Sequence, residues 1–434
     1  MKVLIGCQPD CENWDRKVCR MQNTQILFGD IHNHNALGYG IGSLERSIDI
    51  ARTHLDFFAF TGHSSWHDLV PMEGGREQHW LQGFERLREG WPSVQKLIAD
   101  ANKDDEFSAF LGFEWHSSQF GDQCVVYPHD NEMLVFPDHV QKLREHCMEK
   151  NALMIPHHVA YPKGNRGVNW DEFTECCTPV VEVFSEHGNS ENDRAPLTYF
   201  NHAMGGRDTS QTIAAGLENG LRFGFVASTD SHNGFPGAYG EGLMGVHSPG
   251  LDRGSILKAI RDRHTYALTG DRILVDFAVN GALMGSTITA GKEVEISYDV
   301  RCPDELDVVE IIHNGQVVHR DYPETKIDLD VAMAKPFQIR LEWGWGPWSD
   351  LALDRIADWA FDLQITGGKL LNYFPCLQSG PFDENRRHRF NQSSDTRLEI
   401  VSYSARQGSY RQNPNQSVVL ELEGSGDTEL RLDM

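Results

Sequence analysis

The chain has 434 residues, too many for one ordinary core, and is 40% hydrophobic, so two domains with sizeable interiors are the starting expectation. Its 39 Lys plus Arg against 63 Asp plus Glu give a net charge of -24, which disfavours nucleic acid and anionic membrane surfaces as partners. Nine cysteines, an odd number without secretory spacing, read as reduced thiols rather than a disulfide framework. The apolar run at the N-terminus is too short for a signal peptide, and no later stretch reaches the length of a membrane span. A cytoplasmic location is the expectation.

Residues 1–25 lack periodicity and read as an extension on the surface, with Cys7, Cys11 and Cys19 as scattered thiols and a small metal or redox site as the alternative. The first strong signal is Phe28-Gly-Asp-Ile-His-Asn-His34, an apolar run ending in an acid and two histidines. Side chains alternate along a strand, so His32 and His34 share a face and can grip one metal ion while Asn33 points away. The glycines of Gly38-Tyr-Gly-Ile-Gly42 do not have phosphate-loop spacing. Ser43 then caps a helix with Leu44, Ile48, Ala51 and Leu55 on one face, which returns the chain to a strand over 57–63 ending in His63. Residues 64–107 form a long insertion with helical patterning around Trp80, Phe84 and Leu87, and again at Val94, Leu97 and Ile98. It reads as a lid over a site or as a helical pair.

A third strand, 109–114, ends at Glu114, with Trp115 and His116 following, and a fourth, 123–127, reaches a ligand type only through His129. Asp138 is the expected N-cap of a helix carrying Val140, Leu143 and Cys147, and that helix feeds a fifth strand, 152–157, ending in His157 and His158. The loop Tyr161-Pro-Lys-Gly-Asn-Arg-Gly167 is basic. A sixth strand spans 180–186, and a seventh, 223–230, leads to Asp230 and His232. Strands alternating with helices predict a parallel barrel whose functional groups gather at the C-terminal strand ends. Ser255 is the expected cap of a short helix over 256–263. From 272 onward the pattern becomes short alternating strands, with a hairpin turn at Asn314-Gly315, which predicts a β-sandwich over 272–434. The run Trp343-Gly-Trp-Gly-Pro-Trp348 reads as a sandwich edge or domain interface, with a carbohydrate platform as the alternative.

All seven of the first strands stop at or near a His, Asp or Glu, and such groups are costly to bury unless paired or coordinated. A shared polynuclear metal centre built from His32, His34, His63, Glu114, His157, Asp230 and His232 accounts for the recurrence. Imidazole and carboxylate ligands suit zinc, manganese or iron, and with no cysteine in the set copper-thiolate chemistry is not expected. A carboxylate such as Glu114 can bridge two ions. Two such metals lower the pKa of a bound water to about 7 and clamp both oxygens of a displacement, which makes hydrolysis the natural reaction.

The pattern resembles the PHP (polymerase and histidinol phosphatase) superfamily over residues 26–271. The matching pieces are His32-x-His34, Thr61-Gly-His63, Glu114, the His157 strand and Thr229-Asp-Ser-His232. Stretches such as Ile155-Pro-His-His158 and Thr265-Tyr-Ala-Leu-Thr-Gly270 are similar to a largely uncharacterised bacterial branch, some relatives of which hydrolyse aryl carbamates. The resemblance implies a distorted seven-stranded (β/α) barrel of PHP type holding two or three divalent ions, followed here by the β-sandwich-like domain. It implies His32, His34, Glu114 and Asp230 around one metal, Glu114 and His157 at a second, and His63 with His232 at a third. Gly40 stands where many members have an acid or His, and Gln123 where a His is often found. His158 and His187 remain as spare imidazoles for substrate protonation or late ligation, with hydrogen bonding to a metal ligand as the alternative.

Lys163 and Arg166 in the basic loop are the candidate clamp for a substrate phosphate or carboxylate, with Arg194 and Arg207 as further cations and plain surface charge as the alternative. The expected function is a metal-dependent hydrolase, a phosphoesterase acting on a small molecule through a metal-activated water. A carboxylic ester, amide or carbamate is the alternative substrate, and a non-catalytic metal-containing binding protein is the alternative of another class. The oligomeric state is not legible.

Overall fold

The computed structural model of the chain describes residues 2–5, 18–19, 24–195, 197, 207–289, 291–303, 306–323, 336–344, 356–378, 383–405 and 415–434. It is a mixed α/β protein, rich in strands and with few helices. In chain order it begins β1 (Lys2–Ile5), β2 (Val18–Cys19), β3 (Thr24–Asp30), α1 (Leu44–His54), β4 (Phe57–Ala59), β5 (His63–Trp66), α2 (Gln78–Ala101), β6 (Ser108–Phe110), β7 (Gly112–His116), β8 (Gln123–Val126), α3 (Val140–Lys150) and β9 (Leu153–Pro156). Then come β10 (Val180–Ser185), β11 (Gly188–Asn189), α4 (Ile213–Glu218), β12 (Gly224–Ala227), β13 (Leu243–Ser248), α5 (Arg253–Arg261) and β14 (Thr265–Leu268). Among the described residues the elements that follow are all strands: β15 (Leu274–Val279), β16 (Ala282–Leu283), β17 (Glu295–Arg301), β18 (Val309–His313), β19 (Gln316–Asp321), β20 (Phe337–Trp343), β21 (Ile356–Cys376), β22 (Arg389–Ser394), β23 (Arg397–Ala405) and β24 (Gln416–Asp433).

The part before β15 carries three sheets: β14-β13-β3-β4-β6 with β2 also on β3, then β5-β7-β8-β9, and β11-β10-β12. Strands β3, β4 and β6 run parallel, as do β5 with β7 and β10 with β12. Strand β8, however, is antiparallel to β7 and β9, and β13 is antiparallel to β3 and β14. The wholly parallel arrangement expected from the sequence is therefore corrected to a mixed one. The step from His116 to Gln123 is far shorter than the dozen or so residues that a parallel crossover takes, so β8 has to turn back. Among the described residues the ladders form three sheets and not one closed ring.

Helix α1 forms as the pattern dictates. Ser43 accepts from the Arg46 amide, and Leu44, Ile48 and Ala51 are buried with Phe28 and Phe58. Two expected caps are corrected. His139, not Asp138, caps α3, its ring accepting from the Gln141 amide at 3.1 Å, while Asp138 pairs with Lys142 at the surface. Asp252, not Ser255, caps α5 and accepts from the Ser255 amide at 2.9 Å. The 64–107 insertion holds one α-helix, α2, preceded by a short 3-10 turn at Glu73–Gly75, instead of a pair of helices. It runs through Pro92 and buries Phe84, Leu87, Trp91, Val94 and Ile98 along one stripe.

The β-rich part contains a five-stranded sheet, β20-β24-β21-β23-β22, a four-stranded sheet, β1-β17-β15-β16, and the β18-β19 hairpin. Strand β1 from the N-terminal extension thus lies parallel to β17, in a sheet of the C-terminal part. Trp343 packs inside the five-stranded sheet, with its indole nitrogen donating to Ser402 at 3.0 Å, whereas Trp345 and Trp348 lie outside the described residues, as do Cys7 and Cys11. The two parts meet at Arg46, which is fully buried. It donates to the Asn233, Gly234 and Asp383 carbonyls and to the Tyr403 hydroxyl. Among the described residues no helix is long and apolar enough to cross a membrane.

Candidate metal centre

His32 and His34 follow directly on β3. Asn33 between them bridges Ser231, and its side-chain amide donates to the Ala59 carbonyl at 2.9 Å. Alternation therefore persists past the strand end. Asn33 is anchored away, and the two imidazoles face one space with centroids 5.0 Å apart. Asp30 braces this loop from below, accepting from the His32 and Gly237 amides and from the amide and hydroxyl of Thr229. Burial still pushes its carboxyl up to about 6.

Glu114, on β7, stands at the centre. Its Oε1 lies 2.8 Å from His157 Nε2 at the end of β9. Its Oε2 lies 3.2 Å from His63 Nε2, 3.3 Å from His34 Nε2 and 3.8 Å from His32 Nε2. Asp230, after β12, forms a second focus: Oδ1 is 2.9 Å from His34 Nε2 and 3.3 Å from His32 Nε2, and Oδ2 is 3.1 Å from His158 Nε2 and 3.2 Å from His187 Nε2. His232 packs its ring on His34 at 4.4 Å and on His63 at 5.1 Å. Asp230 and His158 hold left-handed backbone with φ near +50°, a strain that clusters at functional sites.

The electrostatics ask for positive charge. Burial alone would raise Glu114, yet His116, His63 and His157 hold it well below the usual carboxylate range, and His32 and His187 do the same for Asp230. Burial, reinforced by the neighbouring His232, drives His34 down to about 3, and burial beside His34 holds His63 well below its ordinary value. Burial opposes charge on His32 and His157 too, but Asp230, Cys124 and Glu182 around the first, and Cys124 and Glu114 around the second, lift both well above it. Such a set is stable with a cation in its midst, and the donors fit a divalent ion of the zinc, manganese or iron type.

All seven ligands expected from the sequence converge here, with His158 and His187 beside them. Lys163 does not: it is exposed and pairs with Asp171 at 2.6 Å. Arg166 is buried, ion-paired with Asp122 and 4.0 Å from Glu114 Oε1. Arg207 pairs with Asp193 at 2.6 Å and donates to the Asn192 carbonyl. His129 is exposed, so it is not the fourth strand's contribution. Because β8 runs backwards, its start lies at the site, bringing Asp122 and Cys124. Cys124 Sγ is 3.7 Å from His157 Nδ1 and lies within ligand distance of both His32 and His157, beside a ligand set expected without cysteine. Sequence reading also passed over His116, one strand repeat beyond Glu114, and Glu182, a lone acid in the apolar run of β10 that meets His32 Nδ1 at 3.0 Å.

No family model matches the chain. Its relatives include an uncharacterised protein of Chlamydia pneumoniae, 28% identical over 259 residues, covering 54% of this chain and 41% of that protein. Another, from Chlamydia muridarum, is 26% identical over 326 residues, covering 69% and 49% respectively. A third, from Chlamydia trachomatis, is 25% identical over 329 residues, covering 70% and 50%. The chain thus spans half or less of the length of these curated relatives. Among solved structures it is similar to a two-domain protein containing a predicted PHP-like metal-dependent phosphoesterase from Bacteroides vulgatus, with a TM-score of 0.38 and 16% identity over 59% of this chain and 68% of that one. It is also similar to Endonuclease Q in complex with a 27-mer duplex substrate with an abasic lesion, with a TM-score of 0.31 and 12% identity over 55% and 57%. Likenesses of this size are loose superpositions, and the functional reading rests on the chain's own residues.

Proposed function

We propose that this constellation is a polynuclear metal centre and that the chain is a metal-dependent hydrolase of the PHP kind, a phosphoesterase acting on a small molecule. The three sheets before β15 would be the walls of that superfamily's distorted barrel. One observation carries the reading: His32 Nε2 and Glu114 Oε2 are buried and make no hydrogen bond, although they lie 3.8 Å apart with the Asp230 carboxylate beside them. Native interiors leave few buried polar atoms unanswered, and a shared cation answers both at once. Divalent ions bound here would supply Lewis acidity and a water acidic enough to attack near neutral pH. His32, His34, Glu114 and Asp230 would hold one ion, Glu114 and His157 a second, and His63 with His232 a third. His158 and His187, both against Asp230 Oδ2, are placed to donate a proton to a leaving group. The net charge of -24 favours a small substrate over a nucleic acid backbone.

A second reading has its own support. Lys163 is spent on Asp171 and Arg166 on Asp122, so the loop after β9 brings no surplus charge to a phosphate dianion. A carboxylic ester, amide or carbamate asks only that the metals hold its oxyanion. The test is turnover of p-nitrophenyl phosphate, bis-p-nitrophenyl phosphate, p-nitrophenyl acetate and an aryl carbamate by zinc-, manganese- and iron-loaded protein. Preference for a phosphoester upholds the first reading and preference for the acetate or carbamate the second. Metal uptake without turnover of any of them points to a binding protein.

A further inference from the structure

Tyr39 stands at the rim of the centre, half-buried, its ring stacked on His63 with 3.5 Å between centroids and on His232 with 5.4 Å. Nothing in the ligand set or in the proposed chemistry uses it. The phenol oxygen lies 3.3 Å from His116 Nε2, and the direction of that contact is fixed from behind. Arg166 Nη2 lies 3.1 Å from His116 Nδ1, and a guanidinium can only donate, so a neutral His116 accepts at Nδ1 and carries its proton on Nε2, while a charged one is protonated on Nε2 as well. Two carboxylate oxygens also stand 3.3 Å from Nδ1, but each is engaged by a closer partner, Glu114 Oε1 by His157 and Asp122 Oδ2 by Arg166. The Nε2 proton of His116 therefore goes to the Tyr39 oxygen, and the phenol's own proton is left to donate elsewhere.

The support behind this contact is costly. Arg166 is buried, bonds Asp122 through both Nε and Nη2, and holds left-handed backbone at φ 70°, while the other Asp122 oxygen accepts from the Ser117 amide. Its guanidinium also lies 5.2 Å over the Trp66 ring. The neighbouring position cannot contribute a side chain of its own, because a Cβ on Gly40 would come within 2.9 Å of the His232 carbonyl and 3.0 Å of the Asn35 backbone. The Tyr39 side chain from this loop lies over His63 and His232.

We infer that Tyr39 contacts the substrate, its phenol donating a hydrogen bond to a non-bridging oxygen of a phosphoryl group seated beside the metal centre, with His116 and Arg166 as positioning residues that aim it. The inference rests on the phosphoesterase reading and names a donor within it. In the metal-loaded full chain, Tyr39→Phe is expected to keep its metal content and its KM for p-nitrophenyl phosphate within about threefold, while kcat falls by roughly tenfold to a hundredfold, toward the loss seen when one oxyanion donor is removed. His116→Ala should reproduce the loss, and His116→Gln, whose amide nitrogen can take the place of Nε2, should restore part of it. An unchanged kcat in Tyr39→Phe overturns the assignment, and so does loss of metal, which would make Tyr39 a ligand. If the wild-type chain takes up metal yet hydrolyses no phosphoester, the phosphoesterase reading fails by itself. Tyr39 is then judged by titrating inorganic phosphate into the metal-loaded proteins by calorimetry. Binding weakened severalfold by Tyr39→Phe supports the assignment, and equal or absent binding overturns it.

Discussion

Glu182 stands 3.0 Å from Nδ1 of His32, across 150 residues of chain. The imidazole donates its Nδ1 proton to that carboxylate, and the tautomer this selects turns the Nε2 lone pair toward Glu114 and Asp230. A carboxylate behind a metal-binding histidine raises its basicity and fixes its ring. Replacing Glu182 with Gln should therefore lower divalent metal affinity on the order of tenfold to a hundredfold without removing any ligand. Competition against a chelating dye measures this, and affinities equal to those of the wild type would remove Glu182 from the account.

Arg166 and Lys163, three positions apart in one loop, should behave very differently. Arg166→Ala leaves the Asp122 carboxylate buried without its counter-charge, a loss of about 3–5 kcal/mol of stability for such pairs. Lys163→Ala removes a solvent-exposed pair with Asp171, worth about 0–1 kcal/mol. Urea denaturation midpoints decide it, and similar midpoints for the two variants would contradict the burial argument.

Acid sensitivity should trace in part to two histidines away from the centre. His54, bonded to the Pro236 carbonyl at 2.9 Å, and His388, bonded to Ser402 Oγ at 2.8 Å and stacked on Tyr403, are each driven down to about 3 by burial, with a cationic arginine adding to it. Both are neutral in the fold, whereas in the unfolded chain they titrate near their ordinary 6.5. Their contribution is fully present above 6.5 and is lost as pH falls toward 3, by about 1.4 kcal/mol per pH unit for each group. His388→Gln should flatten the decline in stability between pH 6.5 and 5 relative to wild type. Parallel declines would show that His388 is not buried neutral.

Much of the centre was legible because its ligands sit at strand ends in short, repeated patterns. The i, i+2 rule that found His32 and His34 applies equally to Glu114 and His116 on β7, and to Asp122 and Cys124 at the start of β8. It failed for the latter pair because the assumption of parallel strands sent attention to the far end of β8 and to His129, although the short step after His116 already required a reversal. Glu182 could have been found as a single acid in an otherwise apolar strand. Lys163 was out of reach of sequence reasoning: position in a loop next to a ligand says nothing about which way a long flexible side chain turns, and Asp171 captures it. Strand β21, 21 residues long, departs from the short strands expected from 272 onward, because its pairing with β24 shifts register between Thr366 and Gly368 and again between Leu370 and Asn372, and the alternation signal breaks there.

The central claim is that the imidazoles and carboxylates gathered around Glu114 and Asp230 hold divalent metal. Elemental analysis of the dialysed full chain, wild type beside His32→Ala/His34→Ala, tests it most directly. About two or three equivalents of zinc, manganese or iron in the wild type, lost from the double variant while its circular dichroism stays native, is the predicted result. Unchanged metal content in the double variant, or a wild type that retains none after reconstitution, would contradict it.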